Sequence, residues 1–268
     1  MISSPSPFGE EALLSRRPHF WTLSEGIQPP REEDQHSVRS LISDEISVLF
    51  QPIVDLSTSK VWAVEALARC TRPHFRDPQA LFRAAVEQGA TGRLGRLIRE
   101  VAFERCGGRR VFVNVHPHEL SSRWLVRTDD PLGFHDAGVF IEITETAAFE
   151  YFDLCRGVLR EVCNRTGAHL VLDDLGAGHS NLARFLELEP EVVKLDRALV
   201  SNIHVDKRKR VMVRHLSALC RELGARVVAE GIETEDELSA VIDAGVEYGQ
   251  GYFLARPAFP IPEVTWRR

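Results

Sequence analysis

Polar residues stand at the ends of several short apolar segments of this chain, where a buried core alone would not require them. Acids end or follow four of the segments, and an amide or a lysine ends others. A single acid at a strand end is usually a cap or a surface charge, whereas several at one barrel mouth indicate a site for chemistry. The polar residues in question are Glu65, Asn114, Glu142, Asp173, Asp174, Lys194, Asp196, Glu230 and Gln250.

The acids of this set would carry a large negative charge if they converged on one mouth. Lys194 offsets part of that charge, and the remainder would destabilise the fold or force protonation. Two divalent cations would balance it, and an all-oxygen ligand set favours Mg²⁺ or Mn²⁺ over zinc. Two such ions close together are typical of two-metal sites that hydrolyse phosphoesters. In this hypothesis Lys194 holds the attacking water or a phosphate oxygen, and Glu230 accepts a proton, binds a metal, or does both.

The elements that must position these residues alternate between strand and helix. Helix-period segments cover residues 78–88, 152–165, 207–223 and 235–244 and lie between strand-length apolar segments. This alternation predicts an α/β fold, a modified TIM (β/α)8 barrel, with an open doubly wound sheet as the alternative. The link between the first two strands is too short for a crossover helix, so we expect one antiparallel strand. The strand segments are 48–54, 61–64, 111–115, 139–143, 170–172, 192–195, 227–229 and 246–253.

Length and composition set the protein class. The chain has 268 residues, of which 44% are hydrophobic and 27% charged, as in globular proteins. A net charge of −6 argues against a DNA-coating protein, and no apolar segment approaches the roughly 20 residues of a membrane span. Five cysteines without a CxxC pair indicate reduced thiols and a cytoplasmic setting. We expect residues 1–38 to be a tail or linker, disordered or regulatory, and residues 39–268 to form the barrel.

Eight sequence segments in order resemble the EAL-domain cyclic di-GMP phosphodiesterase family. The resemblance covers about residues 47–257 and implies the modified TIM barrel of that family. A second EAL tripeptide at residues 11–13 follows no strand and is not part of the pattern. The segments are QPIVDL (51–56), EALAR (65–69), VNVHP (113–117), EITET (142–146), DDLGAGHSNL (173–182), KLDR (194–197), AEGIET (229–234) and GQGYFLARP (249–257).

The resemblance assigns roles to individual residues. It implies that Asp173 bridges two metals, the second of which is also held by Asp174 and Glu230. The first metal's other ligands would be Glu65, Asn114 and Glu142. Lys194 and Gln250 would act near the attacking water, Glu230 would be the general base and Glu233 would support it. Gln51, Arg69 and Asp196 would contact the dinucleotide, and Glu145 would anchor the loop after the fifth strand.

The implied reaction is the metal-dependent hydrolysis of cyclic di-GMP to linear pGpG, with Mg²⁺ or Mn²⁺ as cofactor and Ca²⁺ as an inhibitor. A homodimer through the region of residues 176–184 and the following helix is also implied, and a regulatory protein is a further expected partner. The chain departs from the family pattern at Leu175, Ala177, His179 and Asn181, and His116 stands where the family has serine.

These departures leave two competing functions open. A catalytically weak or inactive EAL-type receptor or interaction module would keep the fold and bind cyclic di-GMP without turnover. A glycosidase needs only two carboxylates on a barrel. The Asp173–Asp174 pair, Asn114 and Lys194 fit a glycosidase poorly, and an aromatic content of 8% offers few platforms for sugars. Retention of every expected metal ligand favours the phosphodiesterase.

Overall fold

Eight strands close into a barrel in this computed structural model, which describes residues 36–121, 124–176 and 182–266, without the side chains of residues 149 and 182–184. The strands pair in chain order, and the first also pairs with the last. They are β1 (Ile46–Asp55), β2 (Lys60–Cys70), β3 (Val111–Asn114), β4 (Val139–Thr144), β5 (His169–Leu175), β6 (Val192–Leu195), β7 (Arg226–Ala229) and β8 (Tyr248–Gly249).

The first strand runs against both of its neighbours. β1 pairs antiparallel with β2 over ten residue pairs and antiparallel with β8 over two, and the other neighbouring strands are parallel. The short 56–59 link allows only a hairpin between β1 and β2. The predicted modified TIM barrel with one antiparallel strand is therefore confirmed, and the open sheet is excluded.

Helices surround the barrel in the order expected for βα units. They are α1 (Pro78–Glu87), α2 (Thr91–Arg105), α3 (Pro117–Leu120), α4 (Glu145–Glu150), α5 (Phe152–Leu154), α6 (Arg160–Thr166), α7 (Leu182–Leu188), α8 (Arg197–Val200), α9 (Lys207–Glu222) and α10 (Glu235–Asp243). Side chains cap the N-termini of several helices. At the start of α10, the side chain of Thr234 accepts from the backbone N–H of Glu237, and the carboxylate of Glu237 accepts from the backbone N–H of Thr234.

Two sequence predictions missed local detail. The predicted helical segment 152–165 is helical throughout, but a π-helical turn at Cys155–Leu159 lies between α5 and α6. The last strand has two residues rather than the predicted eight. Beyond it, Gly251 packs so closely on the backbone of Ile232 that a Cβ would lie 2.1 Å from the carbonyl oxygen. That contact ends the regular strand and holds the following loop against the barrel.

A layer of apolar side chains fills the barrel beneath the mouth, and we call it the floor layer: Ile53, Ala63, Phe112, Phe140, Val171, Val192 and Val228. Trp62 and Tyr248 pack against it, with their rings stacked at a centroid distance of 4.1 Å. Because side chains on a strand alternate between faces, residues two positions nearer the mouth also point inward. This places Glu65 above Ala63, Glu142 above Phe140 and Lys194 above Val192.

The same spacing of two residues along a strand places the other polar side chains above the floor layer. Asn114 lies above Phe112, Asp173 above Val171 and Glu230 above Val228. On antiparallel β1 the step runs the other way, so Gln51 lies above Ile53. The barrel therefore raises a polar layer directly above its apolar floor layer.

The described chain begins ahead of β1 with residues that pack onto the barrel. Val38 is buried, and its N–H donates to Oε1 of Gln88 at 2.8 Å. The carbonyl of His36 accepts from Nε2 of Gln88 at 2.9 Å. The proposed division at residue 38 stays a prediction for residues 1–35, which lie outside the described residues.

Candidate metal-dependent active site

Lys194 occupies the centre of the polar layer and contacts four carboxylates. Its Nζ lies 2.7 Å from Glu142 and 2.6 Å from Glu230. It also lies 3.3 Å from Asp173 and 3.5 Å from Glu65. The lysine side chain is only 1% exposed, so these charges interact with little screening by solvent. β2, β4, β5 and β7 therefore present their acids to one ammonium group from β6.

Amides join the acids on the side of β1, β3 and β8. Nδ2 of Asn114 donates to Glu65 at 3.3 Å and to Glu142 at 3.0 Å. Nε2 of Gln250 donates to Glu65 at 2.6 Å and to Gln51 at 3.1 Å. The buried Oε1 of Gln250 has no hydrogen-bond partner among the described residues, which leaves an acceptor facing this network.

Asp174 joins the cluster through an irregularity in β5. Strict alternation would turn Asp174 away from Asp173, but the β5–β6 register shifts between Leu172 and Leu175. Asp174 adopts φ of 59°, a left-handed conformation that aspartate tolerates better than most residues. As a result, ligand oxygens of Asp173, Asp174 and Glu230 all lie within 4.8 Å of one another. Three carboxylates at this spacing can share one cation.

Three acids of the cluster, Glu142, Glu230 and Asp174, hold protons more tightly than ordinary carboxyl groups. Burial raises the pKa of Glu142 well above its usual range despite the adjacent Lys194. Burial, reinforced by Asp173 against the pull of Lys194, raises the pKa of Glu230 to about 8. Burial and the neighbouring Asp173 raise the pKa of Asp174 to about 6. Burial is the largest cause of all three shifts, so without a cation these acids tend to hold protons rather than stay charged.

The surroundings of Lys194 favour its charged form, whereas burial favours the neutral form of the acids. Its burial disfavours the charged amine, but the carboxylates around it together outweigh that effect and raise the pKa of Lys194 well above its usual value. The lysine is therefore a fixed positive charge at neutral pH. It can hold an anionic oxygen or a water, and it does not act as a base.

Residues predicted to contact a dinucleotide lie around this cluster. Gln51 belongs to the amide network, whereas Arg69 projects beside it and donates to the carbonyl of Ala68 at 2.8 Å. Asp196 caps α8 by accepting from Ala198 N–H at 2.7 Å, so one of its oxygens already has a structural partner. The substrate roles of these residues stay predictions.

Two further predicted residues support loops at the mouth. Glu233 pairs with Arg197 at 3.0 Å, and Arg197 packs against Gly231, where a Cβ would meet its side chain at 2.5 Å. Glu145 accepts from Gly176 N–H at 3.2 Å, which ties α4 to the end of β5. The following residues 177–181, with the departures Ala177, His179 and Asn181, lie outside the described residues.

Sequence reasoning did not identify a buried ion triad behind the mouth. Arg99 of α2 lies 2.8 Å from Glu119 and 2.9 Å from Asp130, and all three side chains are buried. Arg197 was also missed as the partner of Glu233. Both arginines find their partners far along the chain, and the local sequence carries no signal of such pairings.

Comparison with known proteins identifies the family. Residues 35–257 match the model of the EAL domain. The chain belongs to the EAL domain family. The chain is 31% identical to the cyclic di-GMP phosphodiesterase RocR of Pseudomonas aeruginosa over 240 residues, which cover 82% of this chain and 59% of RocR. The cyclic di-GMP phosphodiesterase PdeR of Escherichia coli K12 is 28% identical over 248 residues, covering 88% of this chain and 37% of PdeR.

Two solved structures of one protein share the fold of this chain. A calcium and cyclic di-GMP complex of Klebsiella pneumoniae BlrP1 superposes with a TM-score of 0.70 at 28% identity, covering 83% of this chain and 59% of BlrP1. A manganese and cyclic di-GMP complex of the same protein gives a TM-score of 0.71 at 29% identity, covering 81% of this chain and 57% of BlrP1. This EAL chain thus spans less than two thirds of these relatives. Within the described residues, no helix has the length and apolarity to cross a membrane.

Proposed function

We propose that this EAL domain is a metal-dependent phosphodiesterase that hydrolyses cyclic di-GMP to linear pGpG. The observation that carries the proposal is the buried cluster in which four carboxylates surround Lys194 and a fifth, Asp174, joins through the β5 irregularity. The named activities of RocR and PdeR and the cyclic di-GMP bound to BlrP1 support the choice of substrate.

The residues present fit divalent cations. The donors are oxygen atoms of carboxylates and of Asn114, as Mg²⁺ and Mn²⁺ prefer. Burial is the main cause of the raised pKa values of Glu142 and Glu230, and a bound cation would displace the protons that these acids hold. Glu65, Asn114, Glu142 and Asp173 would hold one ion, and Asp173, Asp174 and Glu230 a second. When bound, such ions polarise phosphoryl oxygens and acidify water.

The remaining proposed roles in hydrolysis belong to individual side chains in and beside the cluster. Glu230, the proposed general base, would accept a proton from the attacking water. Lys194 stays charged and holds that water or a phosphate oxygen. Gln250 fixes Glu65 through its amide N–H and offers its free Oε1 to the water. Arg69, which lines the cavity that Asn114 also borders, suits a phosphate that is not being cleaved.

Product analysis tests the proposal directly. Purified protein incubated with cyclic di-GMP and Mg²⁺ or Mn²⁺ should yield pGpG, and Ca²⁺ should suppress the reaction because of its looser coordination. The Glu65→Ala variant should lose turnover, since Glu65 is a proposed ligand held by two amides. Wild-type turnover by Glu65→Ala would refute the metal assignment.

A receptor is the second candidate, and the changed residues 177, 179 and 181 after β5 favour it. Binding of cyclic di-GMP without pGpG formation in either activating metal would support the receptor and reject the hydrolase. We propose a cytoplasmic homodimer as the working form in either case, and sedimentation of the purified chain tests its oligomeric state.

A further inference from the structure

A cavity of about 560 Å³ opens directly beside the carboxylate cluster. Its lining includes Arg69, Phe82, Asn114, His116, His118 and Tyr151. Asn114 belongs to both sites, because its amide also bonds Glu65 and Glu142. The volume is that of a small-molecule pocket. A dinucleotide with one phosphate at the cluster would therefore have room for an attached base in this cavity.

The ring of His116 has a defined hydrogen-bonding pattern at the cavity wall. His116 is the N-cap of α3, and its Nδ1 accepts from the backbone N–H of His118 at 3.2 Å. A ring nitrogen that accepts a hydrogen bond carries no proton, so the neutral ring carries its proton on Nε2. No partner for this Nε2–H is found among the described residues, which leaves a donor for a ligand in the cavity.

The position of this donor is fixed by buried groups. The backbone N–H of His116 donates to Oε1 of Glu119 at 3.1 Å, and Oε2 of Glu119 pairs with Arg99 at 2.8 Å. Glu119 and Arg99 are both buried. The ring also lies nearly parallel to Phe82, at an interplanar angle of 11° and a centroid distance of 6.2 Å. A donor held in this way loses little freedom on binding a ligand.

We propose that His116 is a positioning residue that donates Nε2–H to the O6 or N7 atom of a guanine base seated in this cavity. The inference rests on the proposed function, because a phosphate at the carboxylate cluster is what brings the base here. Guanine presents two acceptors on this edge, whereas adenine presents one acceptor and one donor. A fixed N–H donor at this point therefore favours guanine.

The variant His116→Asn separates recognition from folding. Asparagine is a good N-cap and preserves the start of α3, but its short side chain places no donor at the position of Nε2. We expect the same melting temperature, a kcat within about twofold of wild type, and a KM raised roughly 3- to 10-fold, the loss of one hydrogen bond. His135→Asn is the matched control, because that ring stacks on Phe103 and its Nε2 contacts the carbonyl of Arg109 instead.

Base analogues identify the atom that receives the hydrogen bond. Cyclic dinucleotides carrying 2-aminopurine lack O6, and those carrying 7-deazaguanine lack N7. The affinity difference between wild type and His116→Asn should disappear with one of the two analogues. A difference that persists with both analogues, or an unchanged affinity of His116→Asn for cyclic di-GMP, would overturn the inference.

Affinity is measured by calorimetry with Ca²⁺, so that binding is read without turnover. Hydrolysis by wild type together with an unchanged His116→Asn affinity would reject the role of His116 alone. A His116-dependent affinity without turnover in Mg²⁺ or Mn²⁺ would reject the hydrolase alone. A wild-type protein that does not bind cyclic di-GMP would reject both.

Discussion

Lys194 and the acids around it form a site in which charge balance is incomplete. A carboxyl group whose pKa is raised in the folded protein binds its proton more tightly there than in the unfolded chain. Its stabilising contribution is complete at low pH and is lost as the pH rises through the folded value. Glu230, with a pKa of about 8, and Asp174, with a pKa of about 6, both behave in this sense. The metal-free protein is therefore weakest in alkaline solution.

Thermal unfolding against pH checks this consequence. In chelator, the melting temperature should fall between about pH 5 and pH 8, because the folded protein keeps the proton of Asp174 up to about pH 6 and that of Glu230 up to about pH 8, after the unfolded chain has released its own. Added Mn²⁺ should raise the melting temperature more at pH 9 than at pH 6, since protons and cations compete for the same oxygens. The Glu230→Gln variant should show a shallower decline in chelator. A pH-independent melting temperature would contradict the charge imbalance.

Asp174 offers a second test at the residue scale. Asparagine tolerates the left-handed conformation at this position, so Asp174→Asn removes charge without straining the backbone. We expect the metal-free variant to melt at or above the wild-type temperature at pH 8. The increment produced by Mn²⁺ should shrink, and turnover should fall at least about 100-fold, as for the loss of a major catalytic contact. Full metal response in the variant would remove Asp174 from the site.

Whole elements are joined behind the mouth by the Arg99–Glu119–Asp130 triad. Arg99 lies on α2, Glu119 on α3, and Asp130 at the start of a short 3₁₀ turn. The guanidinium binds Asp130 through two nitrogens and Glu119 through a third, so the three elements share one buried charge system. Glu119 also holds the backbone of His116, which connects the triad to the cavity.

Removal of the arginine should reveal how much the triad contributes. Arg99→Met keeps the apolar stem but removes the positive charge that the buried Glu119 and Asp130 share, and breaking a buried ion pair destabilises proteins by about 3–5 kcal/mol. Urea unfolding measures the difference. The control is Arg127→Met, which breaks an exposed pair with Asp129 and should cost less than about 1 kcal/mol. Equal effects of the two substitutions would show that burial adds nothing to the triad.

At the scale of the whole molecule, the barrel has one long hairpin and one short seam. β1 and β2 pair over ten residues, whereas β8 pairs over two residues with each neighbour. The bridge between Phe50 and Ala258 adds a further link across the seam. Glu230 and Gln250 lie next to this seam, so the site and the closure of the barrel are physically linked.

Hydrogen exchange should follow this asymmetry. Amides of the β1–β2 hairpin should exchange slowest, and those of residues 248–251 should exchange earlier through local opening. Mn²⁺ should slow exchange at the seam more than in the hairpin, because Glu230 is a proposed ligand. Seam amides that exchange as slowly as the hairpin without metal would refute the local opening.

The sequence predicted those parts of the site that follow from strand periodicity. Glu65, Glu142 and Lys194 each stand two positions past a floor residue, so the period of a strand was enough to bring them together. Asp174 joins the site through a register shift in β5, and no local sequence pattern predicts that shift. The Arg99 triad depends on contacts between distant segments, and the shortness of β8 reflects the tight packing of Gly251 on Ile232. Tertiary packing decided these features.

Aromatic side chains pack beneath the site and close the far end of the barrel. Trp62, Phe112, Phe140 and Tyr248 occupy its far end, with ring centroids 4.1–5.6 Å apart around the indole. A ligand that binds at the polar rim would therefore also leave by that rim. A product held at the carboxylate cluster would occupy the position of the next substrate, so it would have to leave the rim before another molecule could bind.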